Sequence, residues 1–331
     1  MQRREFLTLL GGAAVTESLA VRPVSAQGAL RPAHIGFISG ADPAAATDFL
    51  TALRDGLSMR GYVESGTLKI EQLFASYDLE RIPTLLEQLE RQHVNVIVTH
   101  AAATDSVVKG RRTIPAVYEF SADPITLGIA KDLAHPLYNA TGITLMSVEM
   151  NGKRLELLHE IMPRARRVAV LANPLHPGVQ RERADFEDKA RQLAIDASFF
   201  PTPNRAELDR AFGAIAADLP DALVAFSDAF VVENRSDIMN FAMSRRLPVV
   251  SGWSLMADSG ALCTYGPRLV ESYRRVAYYV DRVLNGAMPA ELPIEQPTIF
   301  ELVINLNSAK TLGLTIPPLV LVRADKTIEK I

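Results

Sequence analysis

Three side chains in the sequence have the types that nucleophilic catalysis requires: the serine Ser39, the histidine His100 and the aspartate Asp123. In a catalytic triad the histidine removes the serine proton while the carboxylate orients the histidine. The sequence lacks the GxSxG turn that presents a nucleophilic serine, so it gives this arrangement no local support. We therefore interpret His100 as a polar cleft residue or a capping group, and we predict no catalytic residue.

Metal and cofactor motifs are also missing from the sequence. It contains no GxGxxG after a predicted strand, no GxxxxGK[ST] and no HExxH segment. Its six histidines lack the spacing of metal ligands, and the single cysteine, Cys263, supplies neither a zinc framework nor an internal disulfide. We expect the protein to use no metal ion and no cofactor.

Two aspartates remain as candidates for ligand binding. Asp123 and Asp228 each follow a predicted strand and stand close to a hydroxyl, at Ser121 and Ser227. Each carboxylate can either cap the next helix or receive the ammonium group of a ligand on a cleft wall. Backbone N–H groups at the helix starts near residues 101–104 and 174–178 can take a ligand carboxylate. The sequence leaves these alternatives open.

The aromatic candidates come from an internal similarity of the chain. A shift of 133 positions places IPAVYEFS, residues 114–121, on LPVVSGWS, residues 247–254. This shift pairs Phe120 with Trp253, and it predicts two copies of one supersecondary unit. A single aromatic residue at a strand end usually packs in the core, but two rings at equivalent positions can sandwich a flat apolar ligand.

The elements that position these residues alternate between strands and helices from His34 onward. Short runs rich in β-branched residues are followed by helical stretches, and this order predicts parallel sheets that are covered on both faces. The pattern restarts near residues 145–150. We predict an α/β fold of two Rossmann-like lobes, with helices at about 124–133 and 230–245 among others. Loops at the carboxyl ends of both sheets then face one cleft.

The N-terminal segment is typical of an export signal. Arg3 and Arg4 precede an apolar run, and small residues suit cleavage after Ala26. The pair resembles a twin-arginine signal, although Gln2 stands where Ser or Thr is usual, and general secretion remains an alternative. We expect a periplasmic protein whose export signal, residues 1–26, is removed.

Charge and composition exclude several classes of partner. The net charge is −3 and the charges are scattered, so no basic stripe is available for nucleic acid or an anionic membrane. Hydrophobic residues make up 48% of the chain, which indicates a folded globular protein rather than a disordered one. We expect a monomer that binds a small molecule.

Two long segments carry a resemblance to a known family. They are SADPITLGIAKDLAHPLYNATGIT, residues 121–144, and the stretch from GPRLVESYRR to LGLTIP, residues 266–317. The chain resembles the exported substrate-binding proteins of ABC transporters, in the branch that includes tryptophan- and tyrosine-type binding proteins. The resemblance implies a type I periplasmic binding fold, in which two lobes are joined by a hinge of three crossings.

The resemblance also implies lobe boundaries and a partner. The N-terminal lobe takes residues 32–146 with about 267–295, and the C-terminal lobe takes 147–266 with about 296–331. The family implies an ABC permease in the inner membrane as partner, and no enzymatic activity. Two alternatives stay open: a periplasmic sensor that signals to a membrane receptor, and a two-lobe hydrolase or transferase.

Family ligand contacts fall on the strand-end loops of this chain. We expect an amino acid or a small aromatic or branched carboxylate as ligand, while the loop THAAATDS, residues 99–106, departs from the usual Gly-Thr-Pro type. The resemblance implies ligand contacts at Ser39, Ala102, Thr104, Ser121, Asp123, Asn173, Asp228 and Tyr265, to which the internal similarity adds Phe120 and Trp253.

Overall fold

The computed structural model describes residues 32–64, 66–110, 113–145 and 147–329. The predicted export signal, residues 1–26, lies outside the described residues. Within the described part of the chain, no helix combines the length and the apolar character needed to cross a membrane.

The first sheet contains five parallel strands in the order β2-β1-β3-β4-β7. In register, Ile35 lies opposite Ile70 on one side and Val96 on the other. Because the central strands are almost entirely buried, helices must cover both faces of this sheet. The strands of this part, including a small antiparallel hairpin of β5 and β6, are β1 (Ala33–Ser39), β2 (Leu68–Phe74), β3 (Val96–His100), β4 (Ala116–Phe120), β5 (Ala130–Asp132), β6 (His135–Pro136) and β7 (Ala140–Thr144).

The second sheet contains seven strands in the order β14-β13-β12-β11-β10-β8-β9. All neighbouring strands run parallel except β12 and β13, which pair antiparallel. The strands are β8 (Arg167–Ala172), β9 (Asp196–Pro201), β10 (Ala222–Ala225), β11 (Val249–Ser251), β12 (Cys263–Pro267), β13 (Phe300–Asn305) and β14 (Lys326–Ile328).

The helices cover these sheets with apolar stripes, as Phe49, Leu53 and Leu57 of the first helix show. Three short 3-10 turns lie at Ala44–Ala46, Leu79–Arg81 and Pro289–Glu291. The helices are α1 (Thr47–Ser58), α2 (Ile82–Arg91), α3 (Ala103–Lys109), α4 (Ser147–Ile161), α5 (Val179–Gln192), α6 (Arg205–Ala217), α7 (Ala229–Glu233), α8 (Arg235–Ser244), α9 (Ser254–Asp258), α10 (Leu269–Leu284), α11 (Leu306–Leu312) and α12 (Pro318–Arg323).

The two sheets share one strand order, which agrees with the predicted repeat. The order β2-β1-β3-β4-β7 of the first sheet corresponds to β9-β8-β10-β11-β12 of the second. The shift of 133 positions places the start of β4 on the start of β11, at Ala116 and Val249. The predicted α/β fold with two Rossmann-like lobes is therefore confirmed. We call the five-stranded sheet with its helices the first lobe and the seven-stranded sheet with its helices the second lobe.

The chain passes between the two sheets three times, after β7, after β12 and before β13. After the second passage, α10 packs against α1 so closely that a Cβ on Gly56 would lie 2.6 Å from the Cβ of Ala277. The third passage begins beside β7, where the Glu295 amide donates to the Gly142 carbonyl (2.9 Å) and the Thr144 amide donates to the Glu295 carbonyl (3.0 Å). The residue boundaries given above for the lobes stay a proposal.

Two predicted helices differ in the structure. Residues 124–133 form a single turn followed by the β5–β6 hairpin, because Gly128 adopts a left-handed conformation (φ +70°) that ends the turn. The helix expected at 230–245 is divided into α7 and α8 at Asn234. The amide side chain of Asn234 donates to the Phe230 carbonyl (2.9 Å), and such local bonds compete with helix propagation.

We predict that Gly252→Ala destabilises the protein by about 1–3 kcal/mol, because a methyl group at this position would overlap the Ser227 hydroxyl and the buried Arg154 guanidinium. Urea unfolding followed by circular dichroism measures the change. Gly213→Ala is the matched control, because a Cβ there meets nothing within 4 Å on the exposed side of α6 and should raise stability by up to about 1 kcal/mol. Equal unfolding midpoints for Gly252→Ala and the wild type would show this packing argument to be wrong.

Candidate functional site

A cavity of about 290 Å³ lies at the carboxyl ends of the strands of both sheets, against the start of α10. Residues that follow β3 and β4 supply one wall, and residues that follow β10 and β11 supply the other. The volume lies near the lower end of the range for small-molecule sites, so it suits a compact solute. No group of three or more His, Cys, Asp or Glu side chains among the described residues is placed to hold a metal ion.

Half of the predicted site residues line this cavity. From the first lobe they are Ala102, Phe120 and Ser121, and from the second lobe they are Asp228 and Trp253. All five follow or end a strand of a parallel sheet, which is where the fold gathers loops from distant parts of the sequence. Their contact with a ligand stays a prediction.

Two other predicted residues support the cavity wall from behind. The Ser39 hydroxyl lies 3.1 Å from Nδ1 of His100, which itself lines the cavity. Asn173 donates from Nδ2 to Oδ1 of Asp228 (3.0 Å), and the same Oδ1 accepts from the Phe230 amide (2.9 Å). Asp228 therefore caps α7 and also lines the cavity, and its binding of a ligand ammonium group stays a prediction.

Three predicted residues do not line the cavity. Asp123 accepts from the Ile125 amide (3.0 Å) and from the Thr126 hydroxyl, so its carboxylate caps a turn. Thr104 is fully buried, with its hydroxyl 3.4 Å from that of Thr99. Tyr265 stacks on Phe300, with ring centroids 6.2 Å apart.

The serine, histidine and aspartate considered first do not form a triad. Nδ1 of His100 faces Ser39, but its other nitrogen, Nε2, faces Glu119 with 3.8 Å between Nε2 and Oε2. The Asp123 carboxylate is bonded within its own turn instead. The arrangement therefore gives Ser39 no base that is oriented by Asp123.

Glu119 is a cavity residue that the sequence analysis missed. It lies inside the apolar strand β4 and is only 3% exposed. The one sequence feature that could have indicated it is a carboxylate within the apolar segment AVYEF. Burial raises the pKa of Glu119 to about 8 and lowers the pKa of His100 to about 4. Near neutral pH both side chains are therefore mainly uncharged, and this part of the wall offers polar groups without a net charge.

A buried polar network runs from the cavity into the second lobe. Nε2 of His176 lies 2.5 Å from the Ser121 hydroxyl, and Nδ1 of His176 lies 3.3 Å from Oε1 of Glu182. Asn151 donates to Glu182 (3.1 Å) and accepts from Arg154 (2.5 Å). Burial raises the pKa of Glu182 and lowers the pKa of Arg154 to about 10, which leaves the guanidinium charged at neutral pH.

Direct contacts join the two lobes across the cleft. Ser121 of the first lobe meets His176 of the second. The Tyr77 hydroxyl donates to the Glu233 carboxylate, and the Tyr77 ring lies edge-on to Phe230 with centroids 5.4 Å apart. Burial raises the pKa of Tyr77 further above its ordinary range, so its hydroxyl remains a donor. The cleft is thus narrow enough for side chains of both lobes to touch.

Two α/β lobes with a small cavity between their strand-end loops are typical of a protein that binds a small solute. A sequence profile of the family described as ABC transporter substrate binding protein matches residues 37–328. The chain belongs to this family, whose members are substrate-binding proteins and not enzymes.

Solved structures show the same fold. An ABC domain in complex with L-Trp from Streptococcus pneumonia is 22% identical, with a TM-score of 0.81 over 90% of this chain and 100% of that chain. A conserved domain protein from Vibrio cholerae is 26% identical, with a TM-score of 0.82 over the same shares. The ligand-free, open structure of a substrate binding protein with adhesive properties from Clostridium difficile is 18% identical, with a TM-score of 0.63 over 90% of this chain and 100% of that chain. A comparison with curated proteins gave no match.

We predict that stability falls between pH 6.5 and 8 and that Glu119→Gln reduces this fall. The folded protein keeps the Glu119 proton up to about pH 8, whereas the unfolded chain loses it near its ordinary pKa of 4.5. Over that range the folded state binds more protons, so the free energy of unfolding decreases with pH by up to about 1.4 kcal/mol per unit. His100 has the opposite effect, but only between its folded pKa of about 4 and its ordinary value of 6.5.

Urea unfolding at a series of pH values measures this slope. Glu87→Gln, on the exposed side of α2, is the control and should keep the wild-type slope. An unchanged slope in Glu119→Gln would show that Glu119 does not hold the additional proton.

Proposed function

We propose that this protein is the exported solute-binding subunit of an ABC importer. It captures a small organic solute between its two lobes and delivers it to a permease in the inner membrane. The observation that carries this proposal is the cavity lined from both lobes, in a chain that belongs to a family of ABC transporter substrate-binding proteins.

The proposed ligand is an amino acid or a small aromatic or branched carboxylate. Phe120 and Trp253 line the same cavity from opposite lobes, and Asp228 supplies a carboxylate for an ammonium group. The bound L-Trp in the related structure from Streptococcus pneumonia is consistent with this class. We propose direct ligand contacts at Ala102, Phe120, Ser121, Asp228 and Trp253, with Ser39 and Asn173 supporting the wall.

Ligand binding acts by selecting the closed arrangement of the lobes. A ligand shifts the equilibrium between open and closed forms only by its extra affinity for the closed form, which it gains by touching both walls. The contacts of Tyr77 with Glu233 and of Ser121 with His176 join the lobes directly and add to the stability of the closed form. The closed form then presents surfaces of both lobes together to the permease.

We further propose that residues 1–26 direct the chain to the periplasm as a cleaved signal, by the twin-arginine route or by general secretion. The mature protein acts there as a monomer. A periplasmic sensor would use the same cleft, so the two roles differ in the membrane partner rather than in the binding site.

We predict that the proposed ligands stabilise the protein against heat. At one hundred times its dissociation constant, a bound ligand adds about 2.7 kcal/mol to the stability of the folded state. A thermal-shift screen of amino acids, small aromatic carboxylates, sugars and metal salts measures this effect. A response to sugars or metal ions alone would show that the proposed ligand class is wrong.

We predict that Trp253→Ala weakens binding of an aromatic ligand by about tenfold or more, because the indole contributes apolar contact area in the cavity wall. Isothermal titration calorimetry measures the affinity. Phe241→Ala is the control, because Phe241 stacks on Phe212 (4.3 Å between centroids) and does not line the cavity. If Trp253→Ala keeps the wild-type affinity, Trp253 is not part of the ligand site.

We predict that Tyr77→Phe lowers ligand affinity by about tenfold, because the closed form loses a hydrogen bond to a charged carboxylate. The variant should show a larger radius of gyration than the wild type in small-angle X-ray scattering at subsaturating ligand. Tyr138→Phe, in the first lobe and outside the cavity lining, is the matched control. Equal affinities for Tyr77→Phe and the wild type would mean that this contact does not stabilise closure.

A further inference from the structure

Arg235 is the cation of the cavity wall that still lacks a counter-ion. It is the first residue of α8, directly after the break at Asn234, and it is the only Lys or Arg among the described residues that line the cavity. Its Nη1 donates to the Val232 carbonyl (2.9 Å), and this is the bond that its guanidinium makes within the described chain. A guanidinium has five N–H donors, so most of its capacity remains for a ligand.

The nearby carboxylates are already engaged by other groups. Asp237, two residues further along α8, forms an ion pair with Arg205. Glu233 accepts from the Tyr77 hydroxyl, and Asp228 accepts from Asn173. The structure therefore provides local partners for the acids around Arg235 but not for Arg235 itself. A half-buried cation without a counter-ion favours the binding of an anion.

A second donor in the same wall is also unsatisfied. The side chain of Trp253 is 7% exposed, and its Nε1 is buried without a hydrogen-bond partner among the described residues. An indole N–H can only donate, so it requires an acceptor. Arg235 and Trp253 both belong to the second lobe, and together they leave this wall with two donors that the protein does not satisfy.

The opposite wall carries acidic groups. Asp48, in the first turn of α1, lines the cavity and forms no ion pair within the described residues, and Glu119 lies deeper in the same lobe. The cavity lining thus includes donors from the second lobe and the Asp48 carboxylate from the first. A solute that meets Arg235 with its anionic end and also contacts the first lobe gains contacts from both walls only when the cleft is closed.

We propose that Arg235 binds a carboxylate group of the ligand and that Trp253 Nε1 donates to an acceptor of the same ligand. This inference rests on the proposed function and deepens it, because it makes a carboxylate a requirement for binding. An amine that lacks a carboxylate should be rejected even when its apolar part fits. The guanidinium suits this role because its planar donors match the two oxygens of a carboxylate.

Matched pairs of probes test the requirement: L-tryptophan with tryptamine, L-phenylalanine with phenethylamine, and L-leucine with isoamylamine. Each pair shares an apolar part and an ammonium group and differs by the carboxylate. Isothermal titration calorimetry should show that the wild type binds at least one amino acid tenfold to a hundredfold more tightly than its amine. Arg235→Gln should remove most of this difference by weakening the amino acid and leaving the amine unchanged.

Three further variants sharpen the test. Arg235→Lys keeps the charge without the paired donors and should retain part of the preference. Trp253→Phe keeps a ring without the N–H and should weaken the amino acid about tenfold. Arg245→Gln, at the exposed end of the same helix, should behave as the wild type.

The outcomes separate this inference from the proposed function. If the wild type binds an amino acid and Arg235→Gln binds it equally well, the inference is wrong and the proposed function stands. If Arg235→Gln weakens acid and amine equally, Arg235 has a structural role and the inference is also wrong. If the wild type binds none of the six probes, amino acids with these side chains are excluded as ligands, and the carboxylate requirement inferred for them fails as well.

Discussion

The buried Arg154 guanidinium joins several elements of the second lobe. Its charge is removed from water, which is costly unless the surrounding groups accept its hydrogen bonds. The Tyr265 carbonyl (2.8 Å) and Asn151 (2.5 Å) do so, and Gly252 leaves the space that the guanidinium fills. One side chain thus fixes the start of α4, the end of β12 and the loop that places Trp253.

The cavity is polar without carrying many free charges. Glu119 and His100 are both mainly neutral near pH 7, so they can hydrogen-bond a ligand without demanding a counter-ion. The charged groups are Asp48, Asp228, whose carboxylate is held by Asn173, and the half-buried Arg235. This distribution favours a ligand with a few polar groups on a largely apolar body, since Phe120, Trp253 and several aliphatic residues also line the cavity.

The sequence predicted the fold well because hydrophobic periodicity and the internal similarity are visible in the sequence without any knowledge of tertiary contacts. The predicted residues Phe120 and Trp253 both line the cavity, because equivalent strand ends of the two sheets lie on opposite walls, while their contact with a ligand stays a prediction. The sequence analysis missed Glu119, because the position of a carboxylate inside an apolar strand does not reveal which face of the sheet it occupies. It also missed Arg235, because the lack of a counter-ion depends on where the side chains of Asp237 and Glu233 point. The helix expected at 124–133 failed because a glycine conformation, not composition, ends that turn.

The position of α10 in the chain has a consequence for folding. This helix packs on α1, and Glu295, in the segment after the helix, bonds to the edge of β7. Both contacts lie in the first lobe, although α10 comes after β8–β12 of the second lobe in the chain. During synthesis Phe49 and Gly56 of α1 therefore stay without their partners Tyr273 and Ala277 until α10, which ends at Leu284, has been made. The first lobe begins to leave the ribosome first, but it is completed only after most of the second lobe has been made. Its contacts with α10 are therefore long-range and form slowly.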